Sequence, residues 1–266
     1  MRILIRILFT ILITFGFVFL CVRWVGPVAL SFYAARKALP VTRIVPTNLD
    51  DQSVSESPGA TLARFGYEFE IPWTDLDESK TKLYPENKPT KTMGVLTFHS
   101  GLRLIIVSIP PREMAQEFTK GDFHMSPGQV DALFGPGAST SDYVFMKNLY
   151  EFTPAKMHFW SLSPGVHFSE QMVLMIKSIV PAKAAETGIF NLQNQIYKGF
   201  QQGSPRARPE SLLLDLYSDD GGVEIRFVQK DYHNSGGVTQ AEINRIVQTL
   251  HKVPGRDAAL AQTGPR

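Results

Sequence analysis

His167 and Glu170 stand three residues apart, the spacing at which two side chains on one helix can share a metal ion or a proton. Neither has a second histidine at ligand spacing, because His99, His124, His158, His167, His233 and His251 are scattered along the chain. The pair therefore reads as a local polar contact at a helix start. His158, His167 and Glu170 are nonetheless the residues from which a hydrolytic site would have to be assembled, if the fold brings them together. The nucleophile motifs are missing: there is no Gly-x-Ser-x-Gly and no Ser-x-x-Lys. Gly135-Pro136-Gly137-Ala138-Ser139 lacks the preceding strand and the final glycine of a phosphate loop, and reads as a helix break. Asp215, Asp219, Asp220 and Glu224 could attract a hard cation, but EF-hand spacing is absent and they read as solvated turn carboxylates. No catalytic residue is assigned, and no metal or cofactor is expected.

Two non-catalytic features remain. Tyr143, Phe145, Tyr150, Phe152, Phe159, Trp160 and Phe168 are crowded together with Met146, Met157, Met172 and Met175, a composition that suits a helix-on-sheet core or the lining of an apolar cavity. The segment Asn191 to Gln202 carries Gln193, Gln195, Gln201 and Gln202, polar enough to read as an exposed edge open to strand addition.

The elements that must position these residues follow from periodicity. Phe65 to Trp73 alternates large apolar with small or charged residues and reads as one strand, wet on one face. Thr74 to Pro89 reads as a charged loop. Val95 to Phe98 and Leu102 to Ile109 flank His99-Ser100-Gly101 as a hairpin, the second arm apolar on both faces beyond Arg103 and so expected to be covered on each side. Helices are predicted over Pro111 to Lys120, from Ser126-Pro127 to Gly135, over Tyr143 to Phe152 behind a Ser139 to Asp142 capping motif, and over Ser169 to Val180. Strands return at Ile189 to Phe200, Ser211 to Tyr217 and Val223 to Lys230. A last helix, Thr239 to Lys252, opens on a Thr239/Glu242 capping box and carries His251 in its final turn, where a cation favours the helix dipole. The two hairpins share a pattern, Leu102-Arg103-Leu104 matching Val223-Glu224-Ile225; hairpins of any origin share it, and a duplicated half is the lesser reading.

Ahead of all this, Arg2 and Arg6 precede the uncharged run Ile7 to Val22, which is followed by Arg23 and Trp24. With arginine snorkelling and Trp24 at an interface, Ile3 to Val25 is about 34 Å of helix, enough for a single span. A cleaved signal peptide ending near Ala29-Leu30-Ser31 is the competing reading; Arg23, Trp24 and Pro27 before that site favour retention. Six of the 27 basic residues and none of the 25 acidic ones fall in the first 43, so the remainder is net acidic and has no electrostatic footprint for nucleic acid. Arg206 and Arg208 read as a solvated loop. The only cysteine, Cys21, lies inside the apolar run, so disulfides and thiolate metal sites are excluded.

The expected plan is a transmembrane signal anchor over 1–25, a juxtamembrane segment and linker over 26–61, with Asp50 to Pro58 the linker proper, a globular domain over 62–253 and a tail over 254–266. The fold class is α+β: an N-terminal transmembrane helix, then an antiparallel sheet packed with helices in the order βββ-α(n)-βββ-α. That order is similar to photosystem accessory proteins of the PsbP and Mog1 type, at the level of architecture alone, since none of their sequence motifs is matched. The functional expectation is a single-pass, membrane-tethered, non-enzymatic extracytoplasmic domain that binds a protein partner or an apolar ligand near the bilayer; the alternative is a membrane-anchored hydrolase built from residues scattered in sequence.

Overall fold

Two hairpins meet side by side at the centre of the molecule. The computed structural model describes residues 40–57, 59–85, 92–121, 123–158, 164–178, 187–205, 212–229 and 237–253. The expected span Ile3 to Val25, the adjoining residues to 39, Arg206 and Arg208, and the tail 254–266 lie outside the described residues. Among the described residues no helix is long and apolar enough to cross a membrane.

The chain runs β1 (Thr47–Asn48), β2 (Ala60–Arg64), β3 (Tyr67–Ile71), β4 (Lys82–Pro85), β5 (Thr92–Thr97), β6 (Leu102–Ile109), α1 (Glu113–Lys120), α2 (Pro127–Phe134), α3 (Asp142–Glu151), α4 (Pro164–Lys177), β7 (Ile189–Gln193), β8 (Lys198–Gln202), β9 (Leu213–Ser218), β10 (Gly221–Gln229), α5 (Gln240–Thr249) and β11 (His251–Lys252). The α+β class expected from the sequence is the class observed. Eight strands form one sheet in the order β1-β7-β8-β9-β10-β6-β5-β4, and three form a second, β11-β3-β2. Every pairing is antiparallel except β1 with β7, so the large sheet is mixed and not purely antiparallel. At its centre Ile105 lies opposite Arg226, and Leu104 with Phe227 on one side mirrors Ile106 with Ile225 on the other. The likeness between the hairpins is thus a local two-fold in space, with β4-β5-β6 and β8-β9-β10 as its two halves.

One face of the large sheet carries Leu96, Leu104, Ile106, Leu216, Ile225 and Phe227, all buried against α5 and the small sheet. Ile243, Ile246 and Val247 of α5 and Leu250 just after it complete this core, and the helix's capping box forms as the sequence predicts, Thr239 Oγ1 accepting from Glu242 N at 3.3 Å and Glu242 Oε2 from Thr239 N at 2.7 Å. The opposite face receives the helical layer through Ile109, Tyr150, Ile189, Phe200 and Tyr217, while Phe118, Val130, Phe134, Phe145 and Leu149 pack the helices on one another. Because that contact reaches only one end of the sheet, β6 is not covered on both sides: Arg103 is exposed and Ile105 and Val107 are half-buried.

Several segments depart from their predicted form. The alternating run Phe65 to Trp73 is not one strand, since Phe65 and Gly66 both have positive φ, 57° and 81°, and form the two-residue turn between β2 and β3. Phe65 holds that left-handed conformation with its ring laid over Gly94 of β5, where a Cβ would meet it at 2.5 Å. The charged loop contains β4, an edge strand in which Lys82 and Tyr84 are exposed and Leu83 between them is half-buried. Ile189 to Phe200 is a hairpin in place of a single strand, turned by Asn194, whose Oδ1 accepts from Ile196 N and Tyr197 N while its Nδ2 donates to Val247 O of α5 and to Leu250 O at its end. Helix α4 begins at Pro164, ahead of the predicted Ser169. The final helix stops at Thr249, so His251 is not in a helical turn; it opens β11 opposite Glu68.

Asp50 to Pro58, read as a linker, is strapped across α5 as far as Ser57. Asn244 Nδ2 donates to Asp51 O and Ser53 O at 3.1 and 2.8 Å, Ser55 N donates to Ala241 O, and Arg245 reaches Ser55 O, Ser57 O and the Glu70 carboxylate. Polar groups of α5, not apolar residues in the segment itself, fix it in place.

Candidate functional site

Three helices and the chain between α3 and α4 enclose a cleft of about 670 Å³. Local sequence sets its walls. Ser126 caps α2 in a capping box with Gln129, Pro127 takes the first helical position, and Gly135 ends the helix at φ 94°, where a Cβ would meet Asn148 Nδ2 of α3 at 2.6 Å. Ser141 caps α3, and the adjacent Asp142 reaches out of its own helix to accept from Glu113 N and Met114 N, capping α1 at 3.0 Å each. Burial raises the Asp142 carboxyl, and the main-chain N–H groups oppose the shift. The cleft has an apolar floor of Leu133, Phe134, Phe152 and Val173 and a rim that includes Lys156, His158 and Glu170.

The rim contains the one polar constellation that the sequence pointed toward. Glu170 is 9% exposed at its side chain and receives His158 N at 3.0 and 3.1 Å and His158 Nδ1 at 2.6 Å. The imidazole itself is 75% exposed and held over the cleft by that carboxylate. Of the three residues named as scattered candidates, His158 and Glu170 are therefore brought together; His167 lies on α4 and its side chain is outside what the structure describes. A carboxylate on Nδ1 fixes ring orientation and tautomer, as an acid-base histidine requires. Ser169 lines the same cleft.

The other candidates disperse. Asp219 and Asp220 sit exposed at the tip of the β9–β10 hairpin, while Asp215 and Glu224 are cross-strand neighbours farther down. Among the described residues no group of three or more histidine, cysteine, aspartate or glutamate side chains is placed to hold a metal ion. Of the aromatic and methionine cluster, Phe145, Tyr150 and Met157 are core, Phe152 lines the cleft, Met175 is 60% exposed, and the side chains of Phe159, Trp160 and Phe168 are not described. Gln201 and Gln202, expected on an exposed edge, are buried at 0% and 4% because β8 is an interior strand. Gln201 forms a reciprocal amide pair with Gln240 of α5.

Two polar sites are buried where the sequence does not place them: Gln202, Tyr150 and Asp215 read as separate features, Asp215 as a solvated turn carboxylate, yet all three are buried. Gln202 Nε2 donates to Tyr150 Oη at 2.8 Å and to Asp215 Oδ2 at 2.7 Å, inside the contact between sheet and helices. Burial first, and Glu224 across the ladder second, push the Asp215 carboxyl up to about 7. Tyr150 and Tyr217 beside it are raised well above the usual phenol range, chiefly by burial and then by Asp215. The second is Lys177, fully buried at the end of α4, whose ammonium donates to Ile44 O, Tyr150 O and Phe152 O at 2.7, 2.7 and 2.8 Å. Desolvation, and then Lys156, bring it down to about 8. With three protons bonded to three carbonyls it ties the segment before β1 and the end of α3 to α4, a structural role.

Comparison of the chain with known protein families, characterised proteins and solved structures returns no match.

Proposed function

We propose that this chain is a non-enzymatic, membrane-tethered domain that holds an apolar ligand next to the bilayer, the tether being the span Ile3 to Val25 and the domain lying on the extracytoplasmic side. The observation that carries the reading is the cleft between α2, α3 and α4, with an apolar floor and a polar rim. That division suits an amphiphile whose chain lies on Leu133, Phe134, Phe152 and Val173 and whose polar end meets Lys156 and His158. A net acidic domain behind a basic, apolar N-terminal stretch fits a position beside a membrane without a nucleic-acid role.

The test uses the full-length chain in phosphatidylcholine nanodiscs, an environment-sensitive fluorescent fatty acid as probe, and the variant Val173→Trp, which fills the floor. Saturable binding in the wild type, weakened about tenfold or more in the variant, is the expected result. Equal binding by both proteins places the probe elsewhere and overturns the reading.

The second reading, a membrane-anchored hydrolase, is favoured by the Glu170–His158 pair. Turnover of short-chain esters by the same sample, abolished by His158→Ala, would replace the first reading with the second. External protease added to intact cells after permeabilisation of the outer barrier tests the side: loss of the domain is expected, and protection would place it in the cytoplasm.

A further inference from the structure

A second cleft, far smaller and chemically different, lies at the outer edge of the large sheet. Its volume is about 240 Å³, and six of its lining side chains are carboxamides: Asn48, Gln52, Asn191, Gln193, Asn244 and Gln248. The whole chain has nineteen Asn and Gln residues, so nearly a third of them converge on this one site. Tyr143 is the sole ionisable residue in the lining, and Leu49, Leu192 and Val247 supply its apolar part.

From this lining we propose that the edge cleft binds a neutral, polyhydroxylated ligand, a saccharide of one to a few rings. A carboxamide offers donor and acceptor side by side, the pattern that neighbouring hydroxyl groups answer. With no charged side chain in the lining, nothing there compensates the desolvation of an ionic ligand. Carboxamide hydrogen-bonding capacity is left over. Asn191 Nδ2 donates to Asn48 Oδ1 at 3.0 Å, a single bond that leaves both N–H groups of Asn48 and the second N–H and carbonyl oxygen of Asn191 without a partner among the described residues. The side chains of Gln52 and Gln193 are exposed and make no hydrogen bond among the described residues. Gln248 spends its amide on a long 3.4 Å contact to Gln193 O.

The site is also held in advance of binding. Asn244 has both N–H groups on the Asp51 and Ser53 carbonyls and its Oδ1 on Gln240 Nε2, and Asn194 locks the β7–β8 turn to α5. A wall fixed before the ligand arrives lowers the ordering cost of binding. A peptide strand is a poorer occupant, because strand addition needs a row of unpaired main-chain groups. Here β1 already occupies the edge at Phe190 and Asn191, and Gln248 reaches the Gln193 carbonyl. Recognition is left to side chains. The inference concerns a different part of the molecule from the helical cleft and does not depend on what that cleft binds.

The experiment is saturation-transfer NMR on the full-length chain in phosphatidylcholine nanodiscs, which carry no glycosidic detergent, with maltotriose, cellotriose and chitotriose as probes at millimolar concentration. At least one trisaccharide is expected to receive saturation, with affinity about tenfold weaker in Asn191→Ala and in Gln193→Ala. Both residues are exposed, so neither substitution threatens the core, and Gln116→Ala on α1 is expected to bind as the wild type does. Transfer to none of the three, equal binding in all variants, or preferential displacement by a sulfated oligosaccharide or an uncharged tripeptide would each overturn the proposal.

Discussion

Asp215 and Asp77 are both nearly inaccessible, 5% each, and their surroundings drive them in opposite directions. Asp77 accepts from Lys80 and from the Ser79 main chain and hydroxyl, and these bonds hold it down at about 2. Its contribution to stability is complete above the ordinary aspartate range and is lost only as pH falls through about 2. Asp215 has the reverse sign. With a folded value of about 7 against 3.8 unfolded, the native state binds the extra proton, so its contribution is complete below about pH 4 and drains away as pH rises through about 7. Urea unfolding should therefore show stability declining across that window and levelling off above it. Asp215→Asn mimics the protonated acid and still accepts from Gln202, so the slope should flatten and the variant should surpass the wild type at about pH 8. An unchanged slope would show that another group titrates.

At the scale of elements, the strap over α5 tests how far a few polar contacts, two side chains and one main-chain bond, can hold an irregular segment. Arg245 carries Ser55, Ser57 and Glu70 together, and each carbonyl it loses is exposed enough to find water. Arg245→Ala should cost about 1–2 kcal/mol overall, yet raise proteolytic nicking within residues 51–57 far more than that figure implies, because the segment has almost no apolar contact of its own. Limited proteolysis with mass spectrometry reads this directly; nicking that rises only in step with global unfolding would show that the strap and α5 open as one unit. The same physics explains what could be read from the sequence. Ser126, Ser141 and Thr239 announced their helices because a cap is a local bond, and the two central hairpins announced themselves through alternation. Phe65 did not announce a turn, since its left-handed φ is held by a ring placed on Gly94 of another strand. Glu170 and His158 were named from residue type and could be joined only by the path of the chain between α3 and α4. The carboxamide cleft draws on β1, β7 and α5, and no window along the sequence contains it.

On the scale of the whole molecule, the large sheet joins a three-stranded meander, β4-β5-β6, to a four-stranded one, β7-β8-β9-β10, at one seam, β6 against β10, with β1 added at the outer edge and the helical layer inserted in the chain between the two meanders. Each meander closes over short loops, whereas the seam joins residues about 120 positions apart, so its formation carries the main loop-closure cost. Ile106→Val and Ile225→Val, at facing seam positions, are expected to slow refolding with φ of about 0.5 or more. A comparable truncation under the Asn194 turn, Leu192→Ala, should chiefly speed unfolding. Stopped-flow chevrons separate the two; slowed refolding from Leu192→Ala alone would put the nucleus elsewhere. The seam also sets a timetable for synthesis. At 5–20 residues per second, β6 waits on the order of ten seconds after emerging before β10 exists to pair with it. Through that interval the nascent chain displays Leu-Arg-Leu-Ile-Ile-Val-Ser-Ile as an open strand edge beside the β5 strand already in place. The half-made protein, more than the finished one, is thus the form most exposed to aggregation and the one a chaperone would need to shield.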